Sequence, residues 1–378
     1  MTQAVIVGYK RSPFTFANKG ALIKVRPDDL ATYVIQGLLK DTGVDPADIE
    51  DLVLGCAFPE GEQGLNMARL VALNADLPLS VAGVTLNRFC GSSMQSIHNA
   101  VGAIAAGAGE VFICAGVESM TRVPMGGFNP MPNPKLYERN EGAYMSMGET
   151  AENLAERYKI SRPQQEEFAV KSHHKAAAAA GAGKFKDEIV PIPTKDGVVD
   201  ADGCIRPDSS VEALAGLKPA FLETGTVTAG TSSPLTDGAS AVLVCSEDYA
   251  KRKGLPMLAR IKSIAVSGCA PEIMGIGPVS ASQKALQRAG LSMDDMSVVE
   301  LNEAFAAQAM AVISDLKINP AKLNLDGGAI ALGHPLGASG ARITGKAASL
   351  LKREGGRYAL ATMCIGGGQG IATVLEAI

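Results

Sequence analysis

The chain has 378 residues, 47% of them hydrophobic and 20% charged, which suits a globular α/β protein and exceeds what one growing core takes up. A formal net charge of −4 with no basic block argues against a nucleic-acid partner, and 4% aromatic residues with no tryptophan leave little for base stacking. Seven widely spaced cysteines without a CxxC pair read as reduced thiols of a cytoplasmic protein.

The opening MTQAVIVGYKRSPF enters a strand-like apolar run directly, without the n-region, h-region and cleavage site of a secretory leader. Next, IEDLVLGCAFPEGEQGLNMARLVALN (49–74) predicts a strand, a short Ala-Phe turn and a helix. VTLN (84–87), SSMQSIHNAVGAIAAGAG and EVFICAGVES then predict strand, helix, strand. The least polar long stretch, His98 to Val117, carries Glu110 and reads as core helix and strand, with no membrane span. Cys90 lies at the first strand-to-helix turn, in LNRFCGSSMQSIH, where free N–H groups and the helix dipole favour a thiolate.

From about Thr121 to Leu235 the alternation breaks into a Pro-, Gly- and Asn-rich run followed by two helical stretches, which predicts an insertion over the core and a ligand site. Beyond a joint near residues 250–258 the first pattern returns. MSVVELNEAFAAQAMAVISDLK repeats the layout of 49–74, and KLNLDGG, SGARITGKAASLLKREGG and RYALATMCIGG repeat strand, helix, strand. Strand–helix alternation of this kind predicts largely parallel sheets. Asn302, in ELNEAFAAQ, can hold a water or polarise a carbonyl oxygen, and it can cap the following helix, both at once if need be. His334, one of four histidines, sits in the glycine-rich GGAIALGHPLGASGARITG at the junction equivalent to that of Cys90. If the halves pack about a pseudo-twofold axis, these two residues approach each other as nucleophile and base. Cys364, in ATMCIGGGQG, precedes three glycines that allow a close backbone approach.

Other patterns carry less. GARITGKA (340–347) lacks the hydroxyl and the preceding strand of a phosphate loop, and no GxGxxG follows the first strand. His173 and His174 diverge on a helix, so no metal site is expected, and His98 reads as a packed helix residue.

Together LNRFCGSSMQS, LNEAFAAQ, GGAIALGHPLGASGARI, CIGGGQG and TAGTSSPLTDGASAVLV resemble the thiolase family, in order and over essentially the whole chain. The resemblance implies an α/β fold of two similar βαβαβαββ halves in a five-layer αβαβα arrangement with an inserted loop domain. The boundaries expected are 1–120 with 236–254, the insertion at 121–235, and 255–378. It implies reversible Claisen chemistry on coenzyme A thioesters without a resident cofactor or metal, coenzyme A being a substrate. Matched by motif, Cys90 is the acylated nucleophile, His334 its base and Cys364 the acid/base at the α-carbon. Asn302 positions an oxyanion-hole water, and the N–H groups of Cys90 and Gly366 form a second oxyanion hole. Arg206, Ser233 and Met147 fall where family members contact coenzyme A, with Ser146 where some biosynthetic members have histidine. TAGTSSPLTDGAS and ATMCIGGGQGIATV are similar to members of fatty-acid breakdown, which implies 3-ketoacyl-CoA cleavage. The alternatives are an acetyl-CoA acetyltransferase, a condensing synthase of the superfamily and, in a different class, a non-catalytic acyl-CoA-binding protein. The expected partners are acyl-CoA and coenzyme A, a second copy in a homodimer or homotetramer, and a hydratase/dehydrogenase subunit.

Overall fold

A computed structural model describes residues 3–378. The first half runs β1 (Ala4–Arg11), β2 (Thr15–Phe16), α1 (Pro27–Thr42), β3 (Asp51–Gly55), α2 (Met67–Asn74), β4 (Ala82–Leu86), α3 (Ser92–Ala106) and β5 (Val111–Ser119). Four helices and a small hairpin follow, α4 (Pro134–Arg139), α5 (Met147–Arg157), α6 (Arg162–Gly181), β6 (Ile192–Thr194), β7 (Gly197–Val199) and α7 (Val211–Ala215). Strand β8 (Thr236–Ser246) and α8 (Glu247–Lys253) then close the first half. The second half comprises β9 (Ala259–Gly268), α9 (Gly277–Ala289), β10 (Val298–Leu301), α10 (Ala306–Leu316), the short α11 (Ala329–Leu332), α12 (Leu336–Glu354), β11 (Tyr358–Ile365) and β12 (Gln369–Glu376).

The main sheet has the order β10-β11-β12-β9-β1-β8-β5-β3-β4. Two similar runs meet at its centre, β1-β8-β5-β3-β4 and β9-β12-β11-β10. Among the described residues the ladder pairs that join them are Val5↔Arg260 and Ile6↔Ala259. Alternation of side chains along each strand divides the core into three. Val5, Val111, Ile113 and Leu243 face α1 and α2, whereas Ile6, Phe112, Cys114 and Val244 face inward. The inward set packs with Met94 and Ile97 of α3, Ile343 and Ala347 of α12, and Ile371 and Leu375 of β12. Beyond β12, Val374 joins Leu286 and Val312 under α9 and α10. Outer helices, half-sheet, the central pair α3 and α12, half-sheet and outer helices are the five layers.

Two expectations change. The sheet is mixed, since β8 and β12 run antiparallel to both their neighbours. The β11–β12 turn of three residues, with Gly367 and Gly368 at φ 79° and 84°, permits only a hairpin, which is antiparallel by construction. Second, KLNLDGG forms no strand: Leu323 makes one parallel bridge to Val299. Asn324 then turns left-handed at φ 41°, and its side-chain amide takes over the strand's role. Its Oδ1 accepts from the Leu301 N–H at 3.0 Å and its Nδ2 donates to the Leu301 carbonyl at 2.9 Å.

Helix α12 is buried from Leu336 to Ala348, with glycine, alanine and serine along it. A Cβ on Gly340 would lie 2.3 Å from the Met94 nitrogen of α3, and one on Gly116 of β5 would lie 2.1 Å from the Gly337 carbonyl. Small residues therefore let α12 sit directly against α3 and β5. That contact brings the starts of the two central helices, and with them Cys90 and His334, to one place.

Candidate active site

The site is a cavity of about 530 Å3 lined by Cys90, His334, Cys364, Met147, Arg206 and Ser233 among others. Residues 244 positions apart in sequence share its floor, as the pseudo-twofold reading expects.

Cys90 sits in a single tight turn, Phe89–Gly91, just ahead of α3. Phe89 adopts φ 42°, a strained value for a bulky residue. The turn is held by Asn87 Oδ1, which accepts from the Phe89 N–H at 2.7 Å, and by Ser92 Oγ, which accepts from the Arg88 N–H at 2.9 Å. Ser92 also donates to the Phe89 carbonyl at 2.6 Å. The N–H groups of Gly366 and of Cys90 itself face the sulfur. They do not make it a resting thiolate: burial pushes the Cys90 thiol up to about 12, against the pull of both N–H groups, and the Glu118 charge adds to the rise. The sequence reading favoured a thiolate here; desolvation outweighs the helix end.

His334 is buried just before α12, with its own N–H donated to Thr236 Oγ1 at 3.0 Å. Its ring is fixed by hydrogen-bond logic. Ser339 Oγ donates to the Pro335 carbonyl at 3.0 Å, so it accepts from His334 Nδ1–H at 2.5 Å. Nε2 is then the nitrogen that carries the lone pair, and it accepts from Asn302 Nδ2–H at 3.3 Å. Burial, then the nearby Arg342 charge, lowers the imidazole to about 3, so the ring is neutral and able to take a proton.

Asn302 does not cap α10, which starts at Ala306 with Phe305 in the cap position. Its N–H bonds the Thr362 carbonyl at 3.1 Å, and its Oδ1 is buried without a partner. The cap reading gives way to the polar one.

Cys364 is the second-last residue of β11, fully buried, and its thiol is raised well above its usual value by burial and then by nearby Cys90. Gly366 follows in the turn, and a Cβ there would lie 3.5 Å from Met147 Sδ. Met147 opens α5, whose cap is Ser146. The Ser146 hydroxyl donates to Glu149 Oε2 at 2.7 Å.

The mouth of the cavity is cationic. Arg206 and Lys19 stand over the Phe16 ring at 5.4 and 4.6 Å, and neither pairs with a carboxylate among the described residues. Ser233 is tied by its N–H to the Ala304 carbonyl at 2.9 Å. Walls of Met120, Met125, Phe221, Met274, Phe305 and Leu336 are apolar. Thr236 escapes a reading of the sequence because its partner is distant along the chain, and Lys19 because only the fold brings it to the cavity. Ser339, five residues after His334, escapes because a serine among small helix residues carries no signal of its own. His98, as expected of a packed residue, is buried and lies 2.9 Å from Thr373 Oγ1. His173 and His174 diverge, one accepting from the Arg206 N–H at 3.1 Å and the other 3.0 Å from the Ser209 carbonyl.

A two-half α/β fold with a thiol, an imidazole and a second thiol converging where the halves meet defines the class: an enzyme of cysteine-based acyl transfer. Family models describe it further. "Thiolase, N-terminal domain" matches residues 4–248 and "Thiolase, C-terminal domain" matches residues 255–377. The chain belongs to the thiolase family. It is 51% identical over 388 residues to a 3-ketoacyl-CoA thiolase of Pseudoalteromonas translucida, with 100% of both chains covered. It is 47% identical over 389 residues to that of Bacillus subtilis, again with 100% of both covered. The crystal structure of human mitochondrial 3-ketoacyl-CoA thiolase in complex with CoA superposes with a TM-score of 0.92 at 40% identity, covering 100% of this chain and 98% of that one.

Proposed function

We propose that this enzyme cleaves a 3-ketoacyl-CoA with coenzyme A, giving acetyl-CoA and an acyl-CoA two carbons shorter, as in fatty-acid breakdown. The observation that carries this reading is the convergence of Cys90, His334 and Cys364 in one cavity with a cationic mouth and apolar walls. The cations suit the phosphates of coenzyme A, and the walls suit an acyl chain longer than acetyl.

Both catalytic groups start neutral. Cys90 passes its proton to His334 Nε2 as its sulfur attacks the 3-keto carbon, and the N–H groups of Cys90 and Gly366 receive the developing oxyanion. The C2–C3 bond breaks, leaving acyl-Cys90 and the enolate of acetyl-CoA. Asn302 orients a water toward the thioester oxygen, the role its motif implies, and Cys364 gives its proton to C2. After acetyl-CoA leaves, the Cys364 thiolate takes the proton of the incoming coenzyme A thiol. That thiolate attacks the acyl group, and Cys90 recovers its proton from His334. No electrons are exchanged, every proton is carried by these side chains, and coenzyme A enters as a substrate.

Incubation with an acyl-CoA and no free coenzyme A should leave the acyl group on the peptide carrying FCGSS. Label on Cys364 alone, or on neither cysteine, removes the assignment. A series of 3-ketoacyl-CoA substrates of increasing length separates the degradative reading from an acetyltransferase, which acts on acetoacetyl-CoA alone.

A second copy of the chain is the partner that the surface supports. Strand β4 ends the sheet, and Leu65 and Leu79 beside it are 88% and 80% exposed. Sedimentation as a monomer at micromolar concentration counts against a homodimer. A hydratase/dehydrogenase subunit is the partner whose product is this substrate. All seven thiols are free, which fits a reducing, cytoplasmic setting.

A further inference from the structure

The glycine-rich stretch around His334 is gripped at both ends by buried carboxylates. Upstream, Glu303 Oε2 accepts from the Ile330 N–H at 3.3 Å and from Ser172 Oγ at 2.6 Å, while its Oε1 accepts from Asn324 Nδ2 at 2.8 Å. Ser172 Oγ itself accepts from the Gly328 N–H at 3.1 Å. Downstream, Glu118 Oε2 accepts from the N–H groups of Gly337 and Ala57, each at 2.8 Å. Its Oε1 accepts from Gln63 Nε2 at 2.8 Å and the Phe58 N–H at 3.3 Å, with the Cys56 thiol at 3.6 Å.

Every one of these contacts is a donor, so both groups are held as carboxylates, and neither forms an ion pair among the described residues. Burial raises both above the ordinary carboxylate range while the donors pull them back, and this opposition marks a site where an anion is tolerated for its geometry. Glycine makes the grip possible. A Cβ at Gly328 would stand 2.0 Å from the Glu303 carboxyl carbon, and one at Gly337 2.9 Å from Glu118 Oε2. Between the two grips, Thr236 holds the His334 N–H and Ser339 holds the ring.

We infer that Glu118 and Glu303 are positioning residues of the acyl-transfer step: from opposite sides they clamp the backbone at Gly337 and Ile330 and so set the place of the His334 imidazole against Cys90. The clamp also ties the halves together, since Glu118 belongs to β5 and grips α12, and it ties helix α6 to the site through Ser172. This rests on the reading of His334 as the base of Cys90.

Steady-state and acylation rates of the purified enzyme test it, using Glu118→Ala, Glu118→Gln, Glu303→Gln, His334→Ala and the double variant Glu118→Ala/His334→Ala. Small misplacement of a reacting group costs about 10- to 100-fold in rate. Glu118→Ala should therefore slow acylation of Cys90 by about that much, with KM for coenzyme A within about twofold of wild type. Glu118→Gln should recover part of the loss, because its carbonyl still accepts from the Gly337 N–H. Adding Glu118→Ala to His334→Ala should cost nothing more, since a residue that works through His334 has no effect once the ring is gone. A double variant slower by the product of the two single effects, or a loss shared between KM and kcat, overturns the inference. Should Glu118→Ala fail to fold, the volume-conserving Glu118→Gln and Glu303→Gln carry the same cycle. Wild-type acylation in His334→Ala would remove the reading of the base itself. A slow His334→Ala beside glutamate variants of wild-type speed would remove only the clamp.

Discussion

The two helices at the centre of the molecule occupy equivalent places in the two halves, yet the residues at their heads are held by different means. Cys90, ahead of α3, is set by its own backbone: a strained turn, pinned by neighbours within five residues, that aims the Cys90 N–H at the sulfur, with Gly366 of the other half adding a second N–H. His334, ahead of α12, is set by Ser339 of its own helix and chiefly by side chains from elsewhere: Thr236 of β8, Asn302 after β10, Glu118 of β5 and Glu303. A nucleophile needs an oxyanion donor in fixed relation to itself, and its own turn supplies one. A base needs one lone pair held in a chosen direction, which takes partners on several sides of the ring.

Removing the two groups sharpens the contrast most. Cys90→Ala should abolish acyl-enzyme formation, followed by mass spectrometry, whereas His334→Ala should slow it by ~10²–10⁴-fold, the usual worth of a general base. A His334 variant that alkylates with iodoacetamide as fast as wild type would show that Cys90 needs no base.

Cys364→Ala should leave acylation by a simple acyl-CoA intact and reduce thiolysis by ~10²–10⁴-fold, with exchange of the acetyl-CoA α-protons into deuterated solvent lost. Exchange at the wild-type rate reduces Cys364 to packing.

Disturbing the holders comes next. Ser339→Ala leaves His334 Nδ1–H without its acceptor and frees the tautomer, so kcat should fall about 10-fold. Asn87→Ala loosens the Phe89 turn and should show chiefly as about 1 kcal/mol of lost stability in denaturant unfolding. Equal effects of both on kcat and stability would dissolve the distinction between the two helix heads.

At the cationic mouth, Arg206→Ala and Ser233→Ala should raise KM for coenzyme A several-fold and leave kcat nearly unchanged, because these contacts are alike in ground and transition states. An unchanged KM in both would move the coenzyme A contacts elsewhere.

The smallest effect expected is that of pH. Free cysteine and histidine titrate near 8.5 and 6.5, and an ordinary pair changes its ionisation across that range. Here the thiol stands at about 12 and the imidazole at about 3, so neither ionises over the intervening range. The acylation rate should stay level from about pH 5 to about pH 10, falling on the acid side as His334 takes a proton and can no longer accept one from Cys90. An acid limb near 6.5 would mean that His334 is far less buried than it stands here.

Much of this was legible in the residues. The repeated strand, Ala-Phe turn and helix marked two halves, and Cys90 and His334 were readable as equivalent because both precede an Ala- and Ser-rich helix at the same point of the repeat. The insertion announced itself by proline and asparagine. The strand assigned to KLNLDGG was misread, since apolar alternation does not reveal that an asparagine amide will bond the edge of β10 in place of a backbone ladder.

Local sequence thus determined what the groups are: a cysteine at a turn before a helix, a histidine among glycines, a thiol ahead of three more. Tertiary structure decided their state and their company. The thiol is raised and the imidazole lowered because both are sealed inside, and desolvation depends on everything packed around a group. The need for so much glycine near His334 was likewise hidden, because the space at Gly337 is filled by the Val117 carbonyl, Cys56 and the Glu118 carboxylate, the last of them 219 positions away. Periodicity and turn chemistry act between neighbours in sequence; burial and charge act between neighbours in space, and only the folded chain says who those are.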